Sequence, residues 1–347
     1  MARMAEPRIK VAQLLASFVV GGIERLMVST AGPLQERGVD LTILTLNDQV
    51  TRAQDVAPWG VKVHTLHHDW KPVRFPLLVP SDLKRRIREI QAEERFDLLH
   101  AHHYACIGAA PMVAGIAEVP FVATHHAIGE PWQDARGLRH EVFRKVMRDA
   151  LRRSKRVFCW TPAVVDDVNR IAGMSLPQAQ ILELSIDDRF WTAASPQSTR
   201  DVDVVMLGRL AKQKNVLFAL DVFDALRRRR PEFKAVLVGS GPIAEEVAEK
   251  VRALVLEQHV ELPGECPTER IIDIVNRSKV LYMPSHFEGL SAAFLEGLAM
   301  GLDAVVSECT ANLYIATTRN TEDKNAEGAY LAFVRDVDPK LKPLSSE

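Results

Sequence analysis

The four cysteines, Cys106, Cys159, Cys266 and Cys309, lie far apart, and no two form a CxxC pair. This spacing argues against a disulfide framework or a cysteine-rich zinc site and fits a reducing cytoplasm. Long apolar runs are also lacking, and none approaches the roughly 18 residues that a membrane span requires. Neither sign of charge dominates. Lys and Arg number 44 against 45 Asp and Glu, so the net charge of -1 gives no overall attraction to nucleic acid, and no such partner is expected. The run Val11 to Val20, preceded by Arg3, Arg8 and Lys10, looks at first like a secretory leader. It passes into Gly21-Gly22-Ile23-Glu24 with no small-residue cleavage site, so a buried strand followed by a glycine turn explains it better.

What is present is a regular alternation. Short apolar runs (Ile9–Phe18, Asp40–Leu46, Val61–Leu66, Asp97–Ala101, Phe121–Thr124, Arg156–Trp160) are separated by helical patterns such as Leu83, Ile87 and Ile90. The pattern resumes at Val202–Leu207, Lys234–Val238 and Lys279–Met283. Strand–helix alternation implies an α/β fold with parallel sheets covered on both faces, whose ligands bind at the carboxyl ends of the strands. The stretch from about Met174 to Arg200 has no clear period, contains Pro177 and Pro196, and reads as a junction. The expected domains are therefore 1–175 and 176–347, with a polar, atypical tail over 308–347.

Several residue groups at strand ends carry candidate chemistry, and each also has a plainer reading. Gly21-Gly22 after the first strand lets backbone N–H groups approach an anion, or is simply a tight turn needing positive φ. This is no GxGxxG, which counts against a nicotinamide site. Arg209 and Lys214 follow another strand and are suited to a diphosphate, or form a solvated basic turn. Glu288 and Glu296 flank Ser291, a plausible helix cap. Their carboxylates suit sugar hydroxyls, though two such glutamates are commonly surface residues. His100, His102, His103, His125 and His126 crowd two adjacent strand ends. Without a carboxylate or cysteine at ligand spacing they read better as cleft-lining polar groups than as a metal site, and no metal is expected.

Taken in order, Gly21-Gly22-Ile23-Glu24, the His100–His103 and His125–His126 stretches, Gly208–Lys214, Leu237–Pro242 and Glu288–Glu296 resemble the family 4 retaining glycosyltransferases. The resemblance spans about Arg8 to Ser307. It implies the GT-B fold, two Rossmann-like domains with parallel sheets facing a central cleft, and a nucleotide-sugar donor as cosubstrate with no further cofactor. It also implies roles: Glu288 at the donor sugar, Glu296 at the ribose, Arg209 and Lys214 at the diphosphate, Gly22 near the phosphates, and His126 rather than His125 near the sugar. In such enzymes a leaving phosphate oxygen is thought to assist the acceptor, so no protein nucleophile is expected. The Asp201–Asp203 pattern would suggest a metal-dependent transferase of another fold, but it starts a strand, opposite the ligand end. Asp336–Asp338 repeats it.

Three departures stand out. Glu183-Leu184-Ser185-Ile186-Asp187 occupies the place of a usual Asn-Gly pair, Ser291 replaces a common proline, and the resemblance fades after Ser307. The tail leaves open an incomplete second sheet or an altered reading frame. The segment 136–156 is rich in Arg and Lys, with Leu138, Val142, Val146 and Met147 on an apolar side. It is either a packed helix with a solvated basic face or an amphipathic helix at an anionic membrane. The expected protein is a cytoplasmic transferase, with peripheral membrane contact in the second case, acting on a glycan or lipid-linked acceptor in polysaccharide or glycoconjugate synthesis. The alternatives are a nucleotide-sugar-binding scaffold or inactive homologue, and a sugar-nucleotide epimerase of the same fold.

Overall fold

The computed structural model describes residues 8–19, 21–68, 79–128, 136–184, 186–193, 200–307 and 309. Apart from residue 309, the atypical tail and its Asp336–Asp338 pattern lie outside them, as does Ser185 of the junction. The chain divides into two units, the first ending at Leu184.

In the first unit the chain runs β1 (Ile9–Leu15), α1 (Gly22–Glu36), β2 (Val39–Thr45), α2 (Ala53–Val56), β3 (Lys62–Thr65), α3 (Ser81–Glu94), β4 (Leu98–His102), α4 (His103–Ala117), β5 (Phe121–His125), α5 (Leu138–Arg153), β6 (Val157–Cys159), α6 (Pro162–Ala172) and β7 (Ala179–Ile181). The sheet is parallel, in the order β3-β2-β1-β4-β5-β6-β7. All of β5 is buried, and apolar clusters cover the sheet: Leu14, Ile87, Leu99 and Ile107 belong to one, Phe18, Met27 and Ile43 to another. The unit extends past the boundary expected at 175 because β7 pairs with β6. Local signals are clear in α6. The Thr161 hydroxyl accepts from Val164 N at 3.3 Å, Pro162 needs no donor in the first turn, and Gly173 closes the helix at φ +68°.

The second unit contains α7 (Arg189–Thr192), β8 (Val202–Leu207), a 3₁₀ turn (Lys212–Lys214), α8 (Val216–Arg229), β9 (Ala235–Val238), α9 (Ala244–Ala253), β10 (Val260–Gly264), α10 (Thr268–Asn276), β11 (Ser278–Met283), α11 (Ala292–Ala299) and β12 (Asp303–Val306). Its parallel sheet has the order β10-β9-β8-β11-β12. Every residue of β8 is buried, with Val205 and Leu281 in one cluster and Phe223 and Leu237 in the other. Phe190 on α7 is fully buried in the former cluster. Asp203 is not a ligand-end residue: it accepts from Lys234 N at 3.0 Å and Lys279 Nζ at 2.7 Å beside the start of its strand.

Both sheets reverse their strand order once, between β1 and β4 and between β8 and β11. At such a point successive connections leave to opposite sides and open a crevice at the carboxyl ends of the strands. Gly22, Arg209, Lys214 and Glu288 follow strands at these points, whereas His126 follows β5, one strand further along, and Glu296 lies within α11.

Candidate functional site

In the second unit the switch point is built from the segments after β8 and β11. Gly208 (φ +134°) turns the chain out of β8, leaving Arg209 exposed. The loop is held from beneath by the next strand end, since Leu210 N donates to Ser240 O at 2.9 Å and Gly208 N to Val238 O at 3.0 Å. Close approach explains the glycines there. A Cβ on Gly239 (φ +139°) would meet Gly208 O at 2.0 Å, and one on Gly241 would meet Leu210 O at 2.4 Å.

The two loops are tied together. Gln213 accepts from His286 N through its carbonyl at 2.8 Å and donates from Nε2 to Phe287 O at 2.9 Å. One residue further along each loop, Lys214 Nζ donates to Glu288 Oε1 at 2.5 Å. Lys214 and Glu288 were expected at different parts of a donor, so their direct pairing is new. Glu288 is buried and Lys214 half-buried, which makes this a short charge-assisted bond largely shielded from water.

Ser291 is the residue before α11, as the capping argument expects, and Glu296 lies within that helix. The hydroxyl, however, makes no capping bond; it lies 4.0 Å from Met283 Sδ. Glu296 is 3% exposed, which is not how a surface glutamate sits. Gly297 lets α11 press on its own sheet, because a Cβ there would meet Leu281 Cδ2 at 2.7 Å. Ser285, which accepts from Ser307 Oγ through its carbonyl, is buried with a hydroxyl that has no partner among the described residues, at the edge of a cavity of about 10 Å³ that Gly208, Arg209 and Lys214 also line.

In the first unit Gly22 begins α1, and a Cβ there would meet nothing within 4 Å among the described residues. The turn needs no positive φ: Gly21 is extended at −176°. The histidines are engaged mainly with neighbouring side chains. His100 Nε2 bonds Thr124 Oγ1 at 2.7 Å, and His125 Nε2 lies 3.0 Å from Asp167 Oδ2. His126 Nε2 meets His102 Nδ1 at 3.1 Å, and Trp160 Nε1 donates to His126 Nδ1 at 3.3 Å. Burial is the main reason that His100 falls to about 4 and that His102 and His126 fall well below the usual imidazole range. Burial pushes Asp167 up, but its bonds from His125 and Arg170 outweigh this and hold the carboxyl below its ordinary value.

Among the described residues, a donor set compact enough for a metal occurs elsewhere, at His64, Glu93 and Glu94. The Lys62 ammonium already lies 2.8 Å from Glu94 and 3.2 Å from Glu93, filling a cation's role. The expected apolar side of α5 divides in two. Met147 joins Phe143 in the core, whereas Leu138 (82%) and Val142 (45%) are exposed, with Lys145, Asp149 and Arg152 exposed further along the helix.

Two family models match the chain: Glycosyltransferase Family 4 over residues 20–187 and Glycosyl transferases group 1 over residues 187–326. The second match continues past Ser307, where the motif resemblance fades, to residue 326. A glycogen synthase of Mycobacterium tuberculosis is 22% identical over 83% of this chain and 75% of its own. A 2-deoxystreptamine N-acetyl-D-glucosaminyltransferase of Streptomyces fradiae is 24% identical over 81% and 73%. Among solved structures, HepE of Anabaena in complex with UDP and glucose superposes with a TM-score of 0.69 at 17% identity, covering 88% of this chain and 83% of that one. At that identity the likeness speaks for the fold alone, and it agrees with the two parallel-sheet units.

Proposed function

The chain belongs to the family 4-type glycosyltransferases of GT-B fold, and from that premise we propose that it is a retaining enzyme moving a sugar from a UDP- or GDP-sugar to a glycan or lipid-linked acceptor. The observation that carries this reading is the meeting of Arg209, Lys214 and Glu288 at one switch point, from loops 74 residues apart. Cations beside a carboxylate suit a ligand with a diphosphate at one end and hydroxyls at the other.

Arg209 and Lys214 take the diphosphate, the former able to bind two oxygens and the latter as a point charge. Their positive charge counters what develops as the nucleoside diphosphate departs, the main electrostatic task of the reaction. Neither a metal nor an organic cofactor is needed for that. Glu288 accepts from the sugar hydroxyls and Glu296 from the ribose. Gly22, at the start of α1, offers backbone N–H to phosphate oxygen, and His126 acts at the sugar. The bond from the anomeric carbon to the phosphate oxygen breaks while the acceptor oxygen bonds the same face. The acceptor proton passes to the departing phosphate.

Because α5 exposes Leu138 and Val142 and carries more exposed Lys and Arg than acidic residues, Asp149 among the latter, we assign it a contact with an anionic membrane surface, which suits a lipid-linked acceptor. Sedimentation with anionic vesicles at low salt, lost in a Leu138→Ser/Val142→Ser variant, is the expected result. The chemistry is tested by incubating the protein with UDP- and GDP-sugars without acceptor, in EDTA, and following the released sugar by NMR. A slow release of the donor's own anomer supports retention without metal. Release of the opposite anomer overturns it, and nucleotide binding without release would leave a binding scaffold.

A further inference from the structure

Four side chains, from β1, β4 and the residues just past β5 and β6, form a hydrogen-bonded chain across neighbouring strands. Trp160 Nε1 lies 3.3 Å from His126 Nδ1, His126 Nε2 is 3.1 Å from His102 Nδ1, and His102 Nε2 is 2.6 Å from Gln13 Oε1.

Its direction is fixed. An indole N–H only donates, so His126 Nδ1 must present a lone pair. The single proton of a neutral His126 then sits on Nε2 and is donated to His102 Nδ1. His102 carries its own proton on Nε2 and donates to the Gln13 carbonyl oxygen. Every ring nitrogen of the two histidines is used once. Adding a proton to His126 Nδ1 would set it against the Trp160 N–H, and adding one to His102 Nδ1 would set it against His126 Nε2–H. Neither can be accommodated without breaking the chain.

The surroundings act in the same sense. Among the described residues, His100 on β4, His103 on α4 and His125 on β5 are, besides His102, the titratable groups that act on His126, and those three imidazoles disfavour a further positive charge. On α6, Asp167 is already engaged by His125 Nε2 at 3.0 Å and Arg170 Nη2 at 2.5 Å.

We propose that Trp160 is a positioning residue that locks His126 as the uncharged Nε2–H tautomer, with His102 and Gln13 completing the one-way chain. This inference rests on the reading that places His126 at the donor sugar. Positive charge builds on the anomeric carbon as the phosphate leaves, and an imidazolium there would oppose it, whereas a neutral ring does not. The lock therefore keeps turnover from falling in mild acid.

The test joins a spectroscopic and a kinetic readout. Long-range ¹H–¹⁵N spectra of the labelled protein should show both rings as Nε2–H tautomers, unchanged between about pH 5 and 8, against an ordinary imidazole midpoint near 6.5. Trp160→Phe keeps an aromatic ring but removes the donor. His126 should then lose its single Nε2–H tautomer and its midpoint should rise above the parent's, though burial still holds it low, and the ratio of UDP-glucose hydrolysis at pH 5.5 to that at pH 8 should fall below the parent's. A parent His126 that titrates near 6.5, or that carries its proton on Nδ1, overturns the lock. If Trp160→Phe frees the tautomer but both hydrolysis profiles stay parallel, the role in turnover is overturned, and the fault lies in placing His126 at the sugar. Gln13→Glu probes the far end without touching Trp160. A carboxylate there favours the imidazolium, so His102 should begin to titrate above pH 5. A His102 signal unchanged from the parent would show that the chain does not reach Gln13.

Discussion

Lys214 Nζ lies 2.5 Å from Glu288 Oε1, joining the turn after β8 to the loop after β11. If the two side chains bind the donor as proposed, the pair links stability to that binding, because each member also holds the other in place. Removing one partner of a buried pair costs about 3–5 kcal/mol, less where one member keeps some solvent, as Lys214 does at 18%. Lys214→Ala should therefore lower the melting temperature and weaken nucleotide binding together. Lys214→Ala/Glu288→Gln should recover much of the stability and none of the binding. Calorimetry and titration of UDP or GDP against both variants separate the two effects.

The glycines divide into two kinds, and substitution tells them apart. Gly239→Ala places a methyl 2.0 Å from Gly208 O at a φ of +139°, so the second unit should lose several kcal/mol or fail to fold. Gly22→Ala meets nothing within 4 Å among the described residues, so its melting temperature should stay near the parent's. If Gly22→Ala nonetheless weakens nucleotide binding, the effect belongs to the ligand. If it weakens neither, Gly22 has no place at the phosphates.

Glu288 and Glu296 are both buried, which ordinary surface glutamates are not. Glu296→Ala should mainly raise the Kd of the nucleotide, and Glu288→Ala should mainly slow turnover. Equal loss of both quantities in the two variants would contradict the separate assignments to ribose and sugar.

Acid should destabilise the first unit through its neutral histidines. His100 drops from 6.5 to about 4 in the folded chain, so the unfolded chain binds protons first as the pH falls. Its contribution is complete above about 6.5 and is lost as the pH falls toward 4. It amounts to at most about 3 kcal/mol at 1.36 kcal/mol per pH unit, reduced by the partial exposure of the ring. His102 and His126 shift in the same direction. Melting temperatures from pH 7.5 to 4.5 should decline in the parent and decline less steeply in His100→Gln.

Much of the fold was legible because buried parallel strands are apolar throughout. β7, β10 and β12 were not read from the sequence. β7 is three residues long and largely exposed, Pro263 interrupts the strand pattern in β10, and β12 is a four-residue edge that opens on Asp303. The candidate residues were legible singly at strand ends, while their roles, and the choice of His126 over His125, came from the family resemblance alone. Their pairings were not legible, since no local pattern reports a bond between residues 74 apart or the order of protons from Trp160 to Gln13. The Ser291 cap shows the converse: its position followed from local rules, while its hydroxyl turned toward Met283.

The central claim, a donor site at the switch point of the second sheet, is tested most directly by thermal shift of the purified protein against UDP, GDP, ADP and their sugar conjugates. One nucleotide should raise the melting temperature, by an amount set by its concentration relative to Kd, and Arg209→Ala should abolish the shift while leaving the ligand-free melting temperature unchanged. A folded protein that responds to none of them, or an Arg209→Ala variant that responds as the parent does, would contradict the account.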